Sequence, residues 1–133
     1  MDKVSYRVAC PQLRMRISYF YLFHFTLSFF LLLIIISASL ALNENWDPSV
    51  RTDMESIFNR LIPEKGVSYA HSCEGPDDMP AHAKSILVGN SVTIPVKDGD
   101  FELGQWQGIY YCEHRDGKRT RNVVVTLNGA LKG

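Results

Sequence analysis

The chain has 133 residues and no formal net charge, with 14 basic and 14 acidic side chains, a length that suits one domain of modest size. Four of the Lys and Arg residues fall in residues 1–42 against Asp2 alone, which leaves residues 43–133 mildly acidic. That balance excludes a general electrostatic attraction to nucleic acid, because phosphate binding needs a basic stripe.

Residues 17–42 contain no Lys, Arg, Asp or Glu, and the densest part is the run FFLLLIII at residues 29–36. About 20 such residues can cross a hydrocarbon core as a helix, and the basic flank upstream would keep the N-terminus cytosolic. The composition is that of a signal anchor. It also fits an overlong signal peptide, with Ser39 and Ala41 in the −3 and −1 places for cleavage before Leu42. The competing expectation is a buried strand or core helix. Membrane targeting through a single apolar N-terminal segment is the favoured reading if that segment is genuine, and a cytoplasmic protein is expected otherwise.

Beyond this segment, Asp47-Pro48 gives a helix N-cap and a first-turn proline. Val50, Met54, Ile57, Phe58 and Leu61 then recur on one helical face, and Pro63 and Gly66 close a helix predicted over residues 48–62. A second start signal is Asp78 with Pro80 just inside; Gly89 suits the C-terminal cap of a short helix over residues 80–88. From there the period becomes two. Val92, Ile94 and Val96 alternate, Asp98-Gly99 is a hairpin signal, FELGQWQGIYYCEH reads as one long strand, and NVVVTL reads as the last. The expected fold class is α+β, an antiparallel meander with two packed helices.

The chemistry concentrates between the helices. His71, Glu74 and His82 offer two imidazoles and a carboxylate, a donor set that binds zinc and similar ions and leaves a position open. The spacing H-x2-E-x7-H matches no standard zinc signature, so a solvated turn in which Asp77 and Asp78 cap a helix is the competing reading. Glu113 and His114 are strand neighbours and face opposite ways, so only one of them is expected to join the loop. Arg115, Lys118, Arg119 and Arg121 form a basic cluster that either holds a phosphate or makes a soluble turn. Cys10, Cys73 and Cys112 form neither a disulfide framework nor a CxxC element, and read by default as thiols of a reducing compartment; soft metal ligands or a disulfide pair are the other readings of Cys73 and Cys112.

Four stretches in order, SASLALNENWDPSVRTDME, EGPDDMPAHAKSILVG, LGQWQGIYYCEHRD and VVVTLNG, resemble the YjbQ-like family of small proteins described as secondary thiamine-phosphate synthases. The likeness runs over residues 37–129. It implies a compact α+β domain assembling as a homotrimer, with a site of histidines and acids that holds a divalent metal, zinc or magnesium. It also implies a weak transferase activity that makes thiamine phosphate from small phosphorylated substrates. Carried over position by position, His71 and His82 become metal ligands and Glu74 and Glu113 the catalytic acid or base. Asn43, Asn45, Trp106, Gln107 and Arg115 become substrate-binding residues, and Glu44 completes the NEN motif.

The chain departs from that pattern upstream. The family places a histidine eight residues before the NEN motif, where this sequence has Ile35, so a three-histidine site would be reduced to two and catalysis impaired. The abrupt change reads as a truncated or mis-joined gene product over residues 1–36, ahead of a YjbQ-like domain over residues 37–133, or as a membrane-tethered variant. A non-catalytic protein that binds a small anion, or serves in assembly, is the alternative function.

Overall fold

The computed structural model describes residues 6–8, 27–117 and 119–129. Its elements in order are β1 (Tyr6–Val8), β2 (Leu27–Leu33), β3 (Ala38–Glu44), α1 (Pro48–Leu61), α2 (Asp78–Val88), β4 (Ser91–Lys97), β5 (Asp100–Phe101), β6 (Gln107–Glu113) and β7 (Val123–Asn128). All strand pairs are antiparallel. They form two sheets, one in the order β1-β6-β3 and one in the order β5-β4-β2-β7. The class is α+β, as the sequence predicts. The connectivity is not a meander, because β2 and β3, adjacent in sequence, belong to different sheets.

The apolar run expected to target a membrane is a central strand instead. β2 lies between β4 and β7, and its Phe29, Leu31 and Leu33 are buried with Ala38 and Leu40 of β3 and Ile94 and Val96 of β4. Phe30 and Leu32 on its other face are partly buried, so the strand is apolar at consecutive positions and its composition mimics a membrane helix. Residues 17–26 lie outside the described residues, and no helix among the described residues is long and apolar enough to cross a membrane. Ser39 and Ala41 sit in β3, opposite Cys112 and Tyr110 of β6. Cleavage before Leu42 would therefore cut through a strand.

The remaining elements follow their local signals with two differences. Asp47 accepts a hydrogen bond from the Ser49 amide at 2.8 Å and starts α1, while Gly89, at φ +93°, ends α2. The long strand expected after the hairpin is broken into β5 and β6 around Gly104, whose amide donates to Gln107 Oε1 at 2.8 Å. The expected inner face of α1 is not buried in the single chain: Ile57 and Leu61 are exposed.

The β3–β6 sheet has two unlike faces. Leu40 of β3 joins the apolar core on one side, while Ser39 on the other side faces α2. Ser85 Oγ donates to the Ala38 carbonyl at 2.9 Å, and Ser39 Oγ lies 2.9 Å from His114 Nε2. Lys84 is fully buried, donating to Asn59 Oδ1 at 2.8 Å and Glu64 Oε1 at 3.3 Å, which ties α2 to α1 and to the segment after it. Burial first, and then the nearby Lys84 charge, pulls the His114 pKa down from 6.5 to about 4.

His114 is therefore neutral in the folded protein across the range where it would ionise in the unfolded chain. The stability this contributes is complete above about pH 6.5 and is lost as pH falls toward 4, a difference of about 3 kcal/mol. Urea denaturation between pH 7 and pH 4 should show wild type losing more stability than His114→Gln over that window. Equal losses would remove His114 as the source.

Candidate functional site

β6 ends by sending three consecutive side chains to three places. Glu113 accepts from Arg121 Nε and Nη2, each at 2.8 Å, and from the Tyr111 hydroxyl at 2.9 Å. Burial would raise its carboxyl pKa, but the Arg121 hydrogen bonds and those of Arg115 N and Tyr111 hold it below the ordinary range. His114 turns to the opposite face and Ser39. Arg115 reaches across to the loop before α2.

There the guanidinium meets three acidic residues. Nε donates to Asp77 Oδ2 at 2.8 Å, Nη2 to the Glu74 carbonyl at 2.8 Å, and Nη1 to Asp78 Oδ1 and, at 3.4 Å, to Glu74 Oε2. The Asp116 amide adds a bond to Asp77 Oδ2 at 2.9 Å. Burial pushes Asp77 up, yet the Arg115 and Asp116 hydrogen bonds leave its carboxyl below the ordinary value. Asp77 makes no side-chain cap to α2, although it occupies the capping position. Gly75 gives this loop its shape at φ +119°, where an added Cβ would stand 3.0 Å from Asp77 Oδ1.

With Asp78 Oδ1 held, Oδ2 is buried and points between two imidazoles. It lies 2.9 Å from His71 Nε2 and 3.4 Å from His82 Nε2, and accepts no hydrogen bond of proper geometry. His82 Nδ1 lies 3.0 Å from the Ile36 carbonyl, which can only accept, so in the neutral ring the hydrogen is on Nδ1 and Nε2 is bare. A bare nitrogen facing a carboxylate oxygen is repulsive unless positive charge lies between them. The donor atoms of His71, Asp78 and His82 lie within 4.8 Å of one another. Donors on one tetrahedral ion with bonds of about 2.1 Å stand about 3.4 Å apart, so the residues fit a divalent ion. The Ile36 carbonyl orients His82 as outer partners of metal-binding histidines do.

The structure thus brings His71 and His82 together and adds Asp78 in place of Glu74. Glu74 is exposed and bonded to Arg115, Glu113 is bonded to Arg121, and neither belongs to the three-donor cluster. Arg115 is occupied by acids of its own chain rather than facing solvent. Ile35, at the position where a histidine is expected, packs against the apolar core. Asp78 reads from the sequence only as a helix cap; its spacing of four from His82 on α2 is the signal that points to the site.

The other expected residues gather elsewhere. Asn43, Glu44, Trp106 and Gln107 line, with Leu42 and Gly104, an open cavity of about 420 Å³. Asn45 adjoins it, its amide donating to the Trp106 carbonyl at 2.7 Å and its side chain crossing over Gly108. This cavity is at the far end of β3 from Ile36 and His82, about 20 Å along the strand at the usual rise per residue.

The sequence profile of the UPF0047 YjbQ-like proteins matches residues 29–130. The UPF0047 protein YjbQ of Escherichia coli O157:H7 is 50% identical over 93 residues, 70% of this chain and 67% of its own length. A UPF0047 protein of Synechocystis is 48% identical over 95 residues, 71% of this chain and 65% of its own length. A YjbQ/UPF0047 family crystal structure from Clostridium acetobutylicum superposes with a TM-score of 0.69 at 35% identity, covering 77% of this chain and 76% of its own. A conserved hypothetical protein of Thermus thermophilus gives 0.69 at 31% identity, with 79% of both chains covered.

Gly75 and Gly66 both have positive φ, but a Cβ at Gly66 would meet nothing within 4 Å. Gly75→Ala should therefore cost more than Gly66→Ala, because φ +119° lies farther from the left-handed region open to L residues than φ +77° and because of the Asp77 contact, with backbone strain of about 1–3 kcal/mol at such positions. Paired urea denaturation measures the difference, and equal costs would show that neither the wider φ nor the Asp77 contact constrains residue 75.

Proposed function

Because this chain belongs to the UPF0047 YjbQ-like family, we propose that it is a small metal-associated protein whose divalent ion is held by His71, Asp78 and His82. The observation that carries this reading is the buried Oδ2 of Asp78, which accepts no well-formed hydrogen bond yet stands 2.9 Å from His71 Nε2 and 3.4 Å from the bare Nε2 of His82. Two imidazoles favour zinc or a neighbouring transition ion over magnesium, which prefers an all-oxygen shell. When bound, such an ion would act as a Lewis acid toward a phosphorylated ligand.

The family resemblance extends the reading to weak transfer chemistry of the thiamine-phosphate synthase type. In this chain Glu74 is the accessible acid–base candidate, 72% exposed and one guanidinium away from Asp78. Glu113 is ionised at neutral pH and clamped by Arg121, which makes it a weak proton acceptor. That engagement favours a second reading, a non-catalytic protein that binds a small anion. A homotrimer is part of the proposal, supported by apolar residues that the single chain leaves exposed on α1 and β7.

Native mass spectrometry of the full chain reads both features together. The expected result is three copies carrying about one zinc-class ion each, with His82→Ala losing the ion and magnesium failing to replace it. A metal-free wild type would sink the metal assignment, and a monomer at micromolar concentration would sink the trimer. Steady-state turnover of thiazole phosphate and pyrimidine diphosphate separates the two functions: sustained product formation rules out the binding protein, while phosphate binding without turnover rules out the transferase.

A further inference from the structure

We infer that Arg115 is a positioning residue, which selects the single oxygen that Asp78 presents to the ion and binds no substrate itself. The inference rests on the metal reading above and concerns the residue behind the donor set. Arg115 is 6% exposed. Its Nε is committed to Asp77, its Nη2 to the Glu74 carbonyl and its Nη1 to Asp78 Oδ1. A guanidinium placed this way has little left to offer a phosphate, although its position beside the loop suggests one.

What it does offer is orientation. A free carboxylate can rotate and bind an ion through either oxygen or both. Here one oxygen is held from behind by a planar donor fixed at two other points, so Oδ2 alone is turned toward His71 and His82. The arrangement makes Asp78 a one-oxygen ligand of fixed direction. It also offsets charge in part: the two buried carboxylates, Asp77 and Asp78, face one buried cation, which leaves a negative charge toward the ion. Lysine cannot reproduce this. Its ammonium is a point charge on a flexible stem and cannot span Asp77, Asp78 and the Glu74 carbonyl in one plane. Partners behind metal ligands typically contribute 10–100-fold to metal affinity.

The test is zinc affinity of the full chain by competition with a chromophoric chelator, together with circular dichroism to confirm folding. Arg115→Lys should weaken zinc binding about 10–100-fold, while Asp116→Asn, at an exposed neighbouring position, should change it less than about threefold. Asp78→Asn keeps the shape and gives a second reading that does not depend on the Arg115 variant folding. Arg115 requires an oxygen on its side, so the asparagine must turn its NH₂ toward the imidazoles, and zinc affinity should fall more than about 100-fold. A folded Arg115→Lys with wild-type affinity would overturn the positioning role while leaving the metal centre standing; Asp78→Asn binding within about tenfold of wild type would overturn the positioning role and remove Asp78 from the donor set. A wild type that binds no zinc would overturn both.

Discussion

The structure turns on one buried guanidinium. Arg115 joins the end of β6 to the loop and helix that pack across its sheet, through Asp77, Asp78 and the Glu74 backbone. In a site from which water is largely excluded, such an ion pair gains strong attraction but loses hydration, so its net contribution to stability is modest. Its larger effect is geometric. The contact fixes where α2 begins, and the rest of the helix follows: Ser85 reaches the Ala38 carbonyl, and His82 reaches the Ile36 carbonyl. Asp77 illustrates the trade. It stands at the capping position of α2, yet its carboxylate serves Arg115 and Asp116 instead of the helix amides.

The two faces of the β3–β6 sheet divide the labour. One face closes an apolar core with β2 and β4, in which Phe29 and Phe101 pack with ring centroids 4.8 Å apart. The other meets α2 through hydroxyls and an imidazole, while the buried Lys84 ties that helix to α1. Nearly all of these groups find partners, and His114 Nδ1 is the exception in this layer. A polar layer of this kind specifies one seating of the helix more sharply than an apolar one, since a shifted helix would leave several buried groups unpaired. The candidate metal cluster lies where this layer opens to the surface, with Asp78 fully inside and His71 more than half exposed.

Much of the fold is legible in the sequence. Asp47-Pro48, Gly89 and Asp98-Gly99 mark element ends through local backbone chemistry, which a sequence carries directly. The run of residues 29–36 misleads because residues 29–33 form a strand apolar on both faces, which presents the same side chains as a membrane helix; only pairing with β4 and β7 separates them. The site is half legible. His71 and His82 stand out for their chemistry, but the carboxylate between them is not Glu74. Arg115 bonds to Glu74, Asp77 and Asp78 alike, and only Asp78 also lies between the two imidazoles, a placement that depends on contacts between distant residues that no local pattern announces. Asn43, Trp106 and Gln107 do share a cavity, and its distance from the histidines follows from the length of β3, a separation that no motif spacing conveys.

The last strand carries a consequence for how the protein behaves in solution. β7 hydrogen-bonds to β2 along one side, and among the described residues no strand pairs with the other. It has no charged residue or proline, and its Val123, Val124, Val125 and Leu127 each remain about 40% exposed. Such an edge is an open template, to which any extended segment can add by backbone hydrogen bonding alone. Keeping the chain soluble at high concentration therefore depends on what occupies that edge. A lysine placed at Val124 or Thr126 would be a direct way to keep separate copies from growing into a common sheet.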